Sequence, residues 1–237
     1  MTRDRSRLSE SHVVLTHMRD KLDLPSQRPN SQRWIFMLME SPVNSLNYRH
    51  LDGVFNLTAT YRIDSDFSGL YEEAAEMDWS LNDSFKQDFD FHSTKSEFAA
   101  AVISNCEASS NRLDYIRRLQ KLIKVDVFGK CGKKCPEYFR STSNKGDCKD
   151  IIGKEYMFYF AFENSICTDY ITEKFFFILR HNIIPVVLGG GKYDHYVIFF
   201  SILLYKVIQS NLEPFQKFEI KKTKIIMFST KNLFSLH

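Results

Sequence analysis

Short apolar runs alternate with helix-like segments through the middle of the chain. Four of these runs predict β-strands, over residues 99–104, 125–128, 156–162 and 183–188. Between the first two, apolar residues recur at helical spacing over 111–123. After the third, Thr168 or Asp169 can cap a helix that runs to about residue 181. Two strand–helix–strand units in series predict an α/β fold with a parallel sheet.

The pattern differs on either side of this region. Before residue 94, two runs rich in strand formers, 33–40 and 54–62, predict further strands. The stretch 78–93 has no clear period, and we interpret it as a linker or irregular segment. After about residue 197 the strand–helix alternation is no longer legible. We therefore divide the chain into residues 1–94, 95–196 and an atypical tail, 197–237.

Composition and charge narrow the class of protein. The 237 residues are 43% hydrophobic and 14% aromatic, which is enough to bury a core. The formal charge of +3 comes from scattered basic residues, so we expect no nucleic-acid partner. The first residues lack the apolar region of a signal peptide. The most apolar run, 196–205, is too short to span a bilayer.

The five cysteines leave three interpretations open: a zinc site, buried free thiols, or one or two disulfides in a secretory-pathway protein. Cys131 and Cys135 have a Cys-x-x-x-Cys spacing, but no second pair and no nearby histidine complete four zinc ligands. Two sequons, at Asn56 and Asn82, fit the secretory pathway weakly. The odd count leaves one thiol without a partner in the chain.

Polar residues follow two of the predicted strands where a parallel sheet binds ligands. Asn105 and then Arg112 follow the first strand; the residues after the third include Glu163, Asn164, Tyr170, Glu173 and Lys174. Cations and free N–H groups at helix starts suit a diphosphate, and a carboxylate suits ribose hydroxyls. Taken singly, each is an ordinary surface or turn residue. Together they indicate a nucleotide diphosphate ligand.

Four ordered segments carry a more specific signal. AAVISNCEASSNRLDYIRRLQKLIKVDVFGKCG and FYFAFENSICTDYITEKFFFILRHNIIPVVLGG resemble the two donor-domain signatures of the α1,3-fucosyltransferases, glycosyltransferase family 10. WIFMLMESP and FNLTATYRIDSD are similar to the family's two acceptor-domain signatures. The similarity runs from about residue 13 to 193. Tyr71-Glu72 and the CGKKCP segment most resemble the branch that fucosylates the innermost GlcNAc of N-glycans.

This resemblance implies a fold and a reaction. The family has the GT-B arrangement, two facing Rossmann-like domains with parallel sheets, both incomplete here at the chain ends. It implies inverting transfer of fucose from GDP-fucose, in α1,3 linkage, to GlcNAc of an N-glycan or glycoprotein acceptor. Glu40, in Glu-Ser-Pro, matches the family's catalytic base. The implied GDP-fucose-binding residues are Tyr71, Asn105, Arg112, Glu163, Asn164, Tyr170, Glu173 and Lys174.

The resemblance also sets expectations for cofactors and location. Protein cations neutralise the leaving diphosphate in this family, so we expect no essential divalent metal; Asp64-Ser65-Asp66 we take as structural. Full-length relatives are type II membrane proteins of the Golgi, and we expect that this chain lacks their anchor. After residue 193 the family pattern stops, which predicts a truncated or replaced carboxyl end. The alternatives are a GT-B transferase for another nucleotide sugar, or a non-catalytic fragment that binds a nucleotide or glycan.

Overall fold

Two parallel sheets, built from separate stretches of the chain, organise the protein. The structure, a computed structural model, describes residues 4–20, 24–69, 71, 95–135, 148–181, 183–193, 225–228 and 233–236. The predicted irregular stretch 78–93 and most of the tail lie outside these residues. The α/β class with two parallel sheets is confirmed, while the three-part division of the chain stays a prediction.

The first sheet has three parallel strands in the order β1-β2-β3. They are β1 (Val13–His17), β2 (Arg33–Leu38) and β3 (Leu57–Thr60). The prediction found β2 and β3, with ends two or three residues too long, and missed β1. As an edge strand β1 keeps much of its surface in water, so its apolar pattern is short and weak.

The second sheet has four parallel strands in the order β5-β4-β6-β7. They are β4 (Glu97–Val102), β5 (Val125–Phe128), β6 (Tyr156–Phe162) and β7 (Ile184–Leu188), which confirms all four predicted strands within two residues at each end. The chain leaves β4 towards one edge and β6 towards the other. A ligand crevice is therefore expected where the carboxyl ends of β4 and β6 lie side by side.

Strand β6 carries the core of this sheet on both of its faces. Phe158, Phe160 and Phe162 pack into one apolar cluster, while Tyr159 and Ala161 belong to the cluster on the opposite face. Successive side chains point to opposite faces of a strand, so an unbroken apolar run is buried on both sides. This burial fixes the register in which β6 delivers the polar residues that follow it.

The helices differ more from prediction than the strands do. They are α1 (Arg112–Leu119), α2 (Cys148–Glu155) and α3 (Glu173–Phe176), and a 3-10 turn, Ile178–Arg180, follows α3. Helix α1 is shorter than the predicted 111–123, and α2 was not predicted. The prediction of one continuous helix from Thr168 or Asp169 to about residue 181 was wrong. Antiparallel strands β8 (Ile225–Phe228) and β9 (Leu233–Leu236) lie in the tail.

The predicted helix cap at Thr168 or Asp169 was also wrong, because no helix begins at either residue. Thr168 forms a bridge with Gly190, and Asp169 has a left-handed backbone with φ of 63°. The cap is Thr172, whose side chain accepts the Lys174 backbone N–H. The segment 167–172 therefore passes the end of β7 with a turn at Asp169 before α3 begins.

Close backbone approach explains the glycines after β7. A Cβ on Gly190 would lie 2.3 Å from the Cys167 carbonyl oxygen, and one on Gly191 would lie 2.1 Å from Ile171 Cγ1. Both distances are too short for any side chain. The two glycines thus let segment 167–172 lie directly on the end of β7, which fixes where α3 starts.

Two disulfides lie beside the second sheet. Cys106 pairs with Cys131, and Cys135 pairs with Cys148. This confirms the disulfide interpretation and contradicts a zinc pair, since Cys131 and Cys135 belong to different disulfides. Cys167 is the free cysteine. In the described part of the chain, no helix is long and apolar enough to cross a bilayer.

Replacing Cys106 and Cys131 together by serine should lower the free energy of unfolding by about 3 kcal/mol, because the unfolded chain regains the freedom of a closed loop. The bond spans 25 residues. Urea unfolding followed by circular dichroism measures the change. Cys167→Ser, which breaks no bond, is the control and should change stability much less. A double variant as stable as the parent would contradict a folded-state Cys106–Cys131 bond.

Candidate active site

The two sheets meet where β2 and β6 end. The buried hydroxyls of Ser41 and Ser165 are hydrogen-bonded to each other, although 124 positions separate them in the sequence. Asn44 Nδ2 donates to both hydroxyl oxygens at 3.3 Å. Buried polar groups are costly unless they are hydrogen-bonded, so this small network holds the two strand ends together.

Glu40 lies beside this junction, at the carboxyl end of β2. Its Oε1 is 3.2 Å from Arg19 Nη1. Its Oε2 accepts a hydrogen bond from the Tyr170 hydroxyl at 3.2 Å, and Asn164 Nδ2 lies at 3.5 Å. The side chain remains 27% exposed. The carboxylate is therefore oriented by both halves of the chain, with part of its surface open to the cleft.

Tyr170 and Tyr71 lie near this carboxylate, and Tyr61 packs against Tyr170. The buried Tyr170 ring packs edge-on against Tyr61, with centroids 4.8 Å apart. Tyr71 donates its hydroxyl to the Met39 carbonyl oxygen at 2.9 Å. Burial raises the pKa of both Tyr71 and Tyr170 well above the ordinary value, and nearby carboxylates raise it further. Both hydroxyls thus stay protonated and act as donors.

Glu163, the first residue after β6, is fully buried. Its Oε1 accepts the Thr172 backbone N–H at 2.8 Å, and the Thr172 hydroxyl lies within 3.0 Å of both carboxylate oxygens. Burial raises the pKa of the Glu163 carboxyl to about 7, and the Lys174 ammonium opposes part of that rise. The carboxylate thus faces α3 instead of the open cleft.

Lys174 lies in the first turn of α3, directly above Glu163. Its Nζ donates to Thr172 Oγ1 at 3.0 Å and to Glu173 Oε1 at 2.9 Å, and it lies 3.6 Å from Glu163 Oε2. The Lys174 side chain is 16% exposed, whereas that of Glu173 is 41% exposed. The ammonium is thus a fixed positive charge, and Glu173 is the carboxylate open to solvent.

Arg112 is buried beneath the neighbouring strand end, contrary to the ordinary surface arginine that the sequence allowed. It donates from Nη1 to the Phe162 carbonyl oxygen at 2.7 Å and from Nη2 to that of Asn105 at 3.4 Å. Its Nε has no hydrogen-bond partner among the described residues. Burial lowers the pKa of the guanidinium, and the Glu163 carboxylate opposes this. Arg112 ties the end of β4 to the end of β6.

The structure brings most of the predicted site residues to one place, the end of β6 and the facing end of β2. Asn105 is the peripheral one: its carbonyl oxygen meets Arg112, but its side chain is exposed and bonds its own loop. The ligand-binding roles of all eight residues stay predictions. For Glu163 the full burial favours a role in holding other residues over direct contact with a ligand.

Sequence reasoning missed two residues that the geometry makes important. Arg19 reaches Glu40 from the end of β1, so a strand prediction over Val13–His17 would have placed it there. Thr172 caps α3, and the signal was a threonine directly before Glu173 and Lys174. In the described part of the chain no three His, Cys, Asp or Glu side chains group closely enough to hold a metal ion.

The arrangement offers two distinct chemical surfaces. One is a partly open carboxylate, Glu40, suited to accept a proton from a hydroxyl in the cleft. The other is a fixed cation, Lys174, at a helix start beside an accessible carboxylate, Glu173, which suits a diphosphate and a ribose. A site with these two surfaces can transfer a group from a nucleotide diphosphate to an alcohol.

Comparison with known families agrees with this class of site. A family model described as "Glycosyltransferase family 10 (fucosyltransferase) C-term" matches residues 92–203. A second, "Fucosyltransferase, N-terminal", matches residues 1–72. The two models together cover most of the chain. The chain belongs to glycosyltransferase family 10, the fucosyltransferases.

Individual relatives are similar over most of this chain. It is 40% identical over 194 residues to "Glycoprotein 3-alpha-L-fucosyltransferase A" of Drosophila melanogaster, covering 80% of this chain and 36% of the relative. It is 38% identical to "Alpha-(1,3)-fucosyltransferase C" of the same organism, covering 72% and 43%. It is 37% identical to the Homo sapiens enzyme "4-galactosyl-N-acetylglucosaminide 3-alpha-L-fucosyltransferase FUT5", covering 82% and 50%. The chain thus spans half or less of these relatives' length.

One solved structure is also similar, "Crystal Structure of alpha1,3-Fucosyltransferase with GDP-fucose". The match has 18% sequence identity and a TM-score of 0.36, and it covers 75% of this chain and 52% of the other.

The free energy of unfolding should fall as pH rises from about 5 to about 8, and Glu163→Gln should remove that fall. The Glu163 pKa is about 7 in the folded chain against an ordinary 4.5, so between these values the folded state binds more protons and rising pH favours unfolding. At about 1.4 kcal/mol per pKa unit the effect is at most about 3.5 kcal/mol.

Urea unfolding at several pH values measures this slope. Glu97→Gln, which removes a glutamate paired with Lys124 at the far end of the sheet, is the control and should keep the parent slope. An unchanged slope in Glu163→Gln would show that another group titrates in this range.

Proposed function

We propose that the chain carries the site of an inverting fucosyltransferase, which moves fucose from GDP-fucose in α1,3 linkage to GlcNAc of an N-glycan or glycoprotein. The observation that supports it most is the hydrogen bond from Tyr170 to Glu40 across the two sheets. It brings the proposed base on one sheet next to the proposed donor pocket on the other. Membership of the family supports the choice of fucose.

In the proposed reaction Glu40 removes the proton from the acceptor hydroxyl. Arg19 occupies one of its oxygens, and Tyr170 and Asn164 orient the other, which leaves lone pairs on the exposed side. The acceptor oxygen then attacks the anomeric carbon as the bond from that carbon to the diphosphate oxygen breaks. Such base assistance contributes about 10²- to 10⁴-fold to the rate.

Lys174 is proposed to hold the leaving GDP. Charge gathers on the diphosphate as the sugar bond breaks, so a fixed cation there favours the transition state over the ground state. Glu173 is the proposed ribose partner, since it is the exposed carboxylate of that turn. Arg112 is proposed to add positive charge from beneath, although its present hydrogen bonds go to backbone oxygens. Protein cations then do the work of a metal, and we propose that no divalent ion is essential.

Two further assignments belong to this proposal. The two parallel sheets, with their carboxyl ends facing one another at the site, support the GT-B arrangement. The N-glycan core as acceptor is supported by the sequence around Tyr71 and by the relative named glycoprotein 3-alpha-L-fucosyltransferase A. The two disulfides fit an enzyme of the secretory pathway, and we place the whole protein in the Golgi.

Glu40→Gln should lower the rate of fucosyl transfer by at least about 10²-fold, because the amide cannot take the proton. GDP affinity should stay within a few-fold, since Glu40 faces the acceptor. Transfer is measured with GDP-fucose and an N-glycan acceptor, and GDP binding by calorimetry. The control is Glu97→Gln, which removes a glutamate of similar exposure and similar pairing and should keep both properties. Retained transfer in Glu40→Gln would rule out Glu40 as the base.

Donor preference separates the proposed function from its alternatives. The chain should bind GDP-fucose at least about tenfold more tightly than a UDP- or CMP-sugar, a difference of about 1.4 kcal/mol. Competition with a fluorescent GDP analogue measures this ranking. A preference for another nucleotide would favour a different transferase of the same fold. GDP binding without any turnover would favour a non-catalytic fragment.

A further inference from the structure

We propose that Glu163 is a positioning residue that fixes Lys174 for the donor diphosphate through Thr172, and that it does not touch the donor itself. This inference rests on the proposed function, because it gives Lys174 the role of diphosphate contact. It assigns a different role from that of Glu173, the neighbouring exposed carboxylate.

The first support is the direction in which the Glu163 carboxylate faces. It is 0% exposed, and both oxygens are occupied by Thr172, one by the backbone N–H at 2.8 Å and both by the hydroxyl. No surface is left for a ligand to contact. A donor pocket formed at α3 therefore meets Lys174 and Glu173 first, with Glu163 beneath them.

The second support is the way Lys174 is held. Its ammonium has three donors, and three oxygens surround it, those of Thr172, Glu173 and Glu163. A free lysine side chain populates many rotamers, and ordering it on ligand binding costs affinity. An ammonium that is already held in place avoids most of this cost.

The third support is the charge of Glu163. A neutral glutamine could also accept the Thr172 N–H, although more weakly than a carboxylate does, and burying a carboxylate is unfavourable. The negative charge is stabilised by the Thr172 hydrogen bonds and by two cations near it, Lys174 from α3 and Arg112 from α1. The other titratable groups near it are Glu173, Tyr71, Tyr170 and Tyr193, none of which is a cation. The negative charge of Glu163 therefore serves to hold the Lys174 ammonium, which lies 3.6 Å away.

The variant Glu163→Gln tests this at about pH 8, where the parent carboxylate is mostly ionised. The first readout needs no ligand: the rate at which an amine-acylating reagent labels Lys174, followed by mass spectrometry. Loss of the anchor should raise that rate about threefold or more. Asp126→Asn is the matched control, since it removes a carboxylate on β5 that pairs with Lys133 in the following loop. It should speed labelling of Lys133 and leave Lys174 unchanged.

The second readout is GDP affinity by calorimetry. Glu163→Gln should weaken GDP binding about fivefold to tenfold, a typical loss for a misplaced charged contact. In a Lys174→Ala background the same substitution should change GDP affinity less than twofold, because a residue that acts through Lys174 has nothing left to position. Asp126→Asn should keep the parent affinity.

A second pair of variants covers the case in which Glu163→Gln does not fold. Thr172→Val removes the hydroxyl at nearly constant shape and should reproduce the faster labelling of Lys174. Thr172→Ser keeps the hydroxyl and should label more slowly than Thr172→Val. Equal labelling in these two variants would overturn the proposal.

The remaining outcomes are separable. Unchanged Lys174 labelling in folded Glu163→Gln overturns the positioning role. Equal losses of GDP affinity with and without Lys174 also overturn it, because Glu163 would then act independently of Lys174. If Glu163→Gln labels Lys174 faster but the parent chain binds no GDP, the proposed function is overturned, while the hold of Glu163 on Lys174 stands.

Discussion

The hydrogen-bonded contact between the ends of β2 and β6 is the feature on which the rest of the site depends. Ser41 and Ser165 meet there with both side chains buried. A one-residue slip of either strand would turn these polar side chains into an apolar face, so the contact fixes the register at both strand ends. Glu40 and Asn164 are the neighbours of these serines in the chain, and they face each other for that reason. The two halves of the chain thus complete one site.

The two glutamates of this site show how environment separates their roles. Glu40 is partly exposed and keeps an arginine and a tyrosine as partners, so part of its carboxylate remains open to the cleft. Glu163 has similar chemistry but is fully buried, and burial raises its pKa to about 7. Two carboxylates with different surroundings can serve a reacting role and a positioning role in one pocket. The difference follows from one strand end being open and the other being covered by α3.

The strands and the site were more predictable from sequence than the helices. The run 156–162 is apolar throughout, which is typical of a strand buried on both faces. The polar residues after it were therefore expected at the carboxyl end of that strand. The choice of Thr172 as the cap over Thr168 or Asp169 could not be settled from the sequence, because it depends on Gly190 and Gly191, at the end of β7, meeting segment 167–172. The burial of Arg112 is likewise a tertiary effect, set by the Phe162 carbonyl group that it reaches. Local patterns do not contain such contacts.

The shortness of α3 explains why the site needs this support. A helix of four residues is not stable by itself, because the free-energy cost of nucleating it exceeds the stabilisation from one hydrogen-bonded turn. Tertiary contacts must therefore fix it. Phe175 and Phe176 bury one side in the core, and Thr172 closes the start against Glu163. Lys174 sits between these two anchors, so its ammonium has little freedom although it lies at the surface of the cleft. Burying the Glu163 carboxylate does not favour the stability of the fold, but the buried charge fixes the position of the Lys174 ammonium.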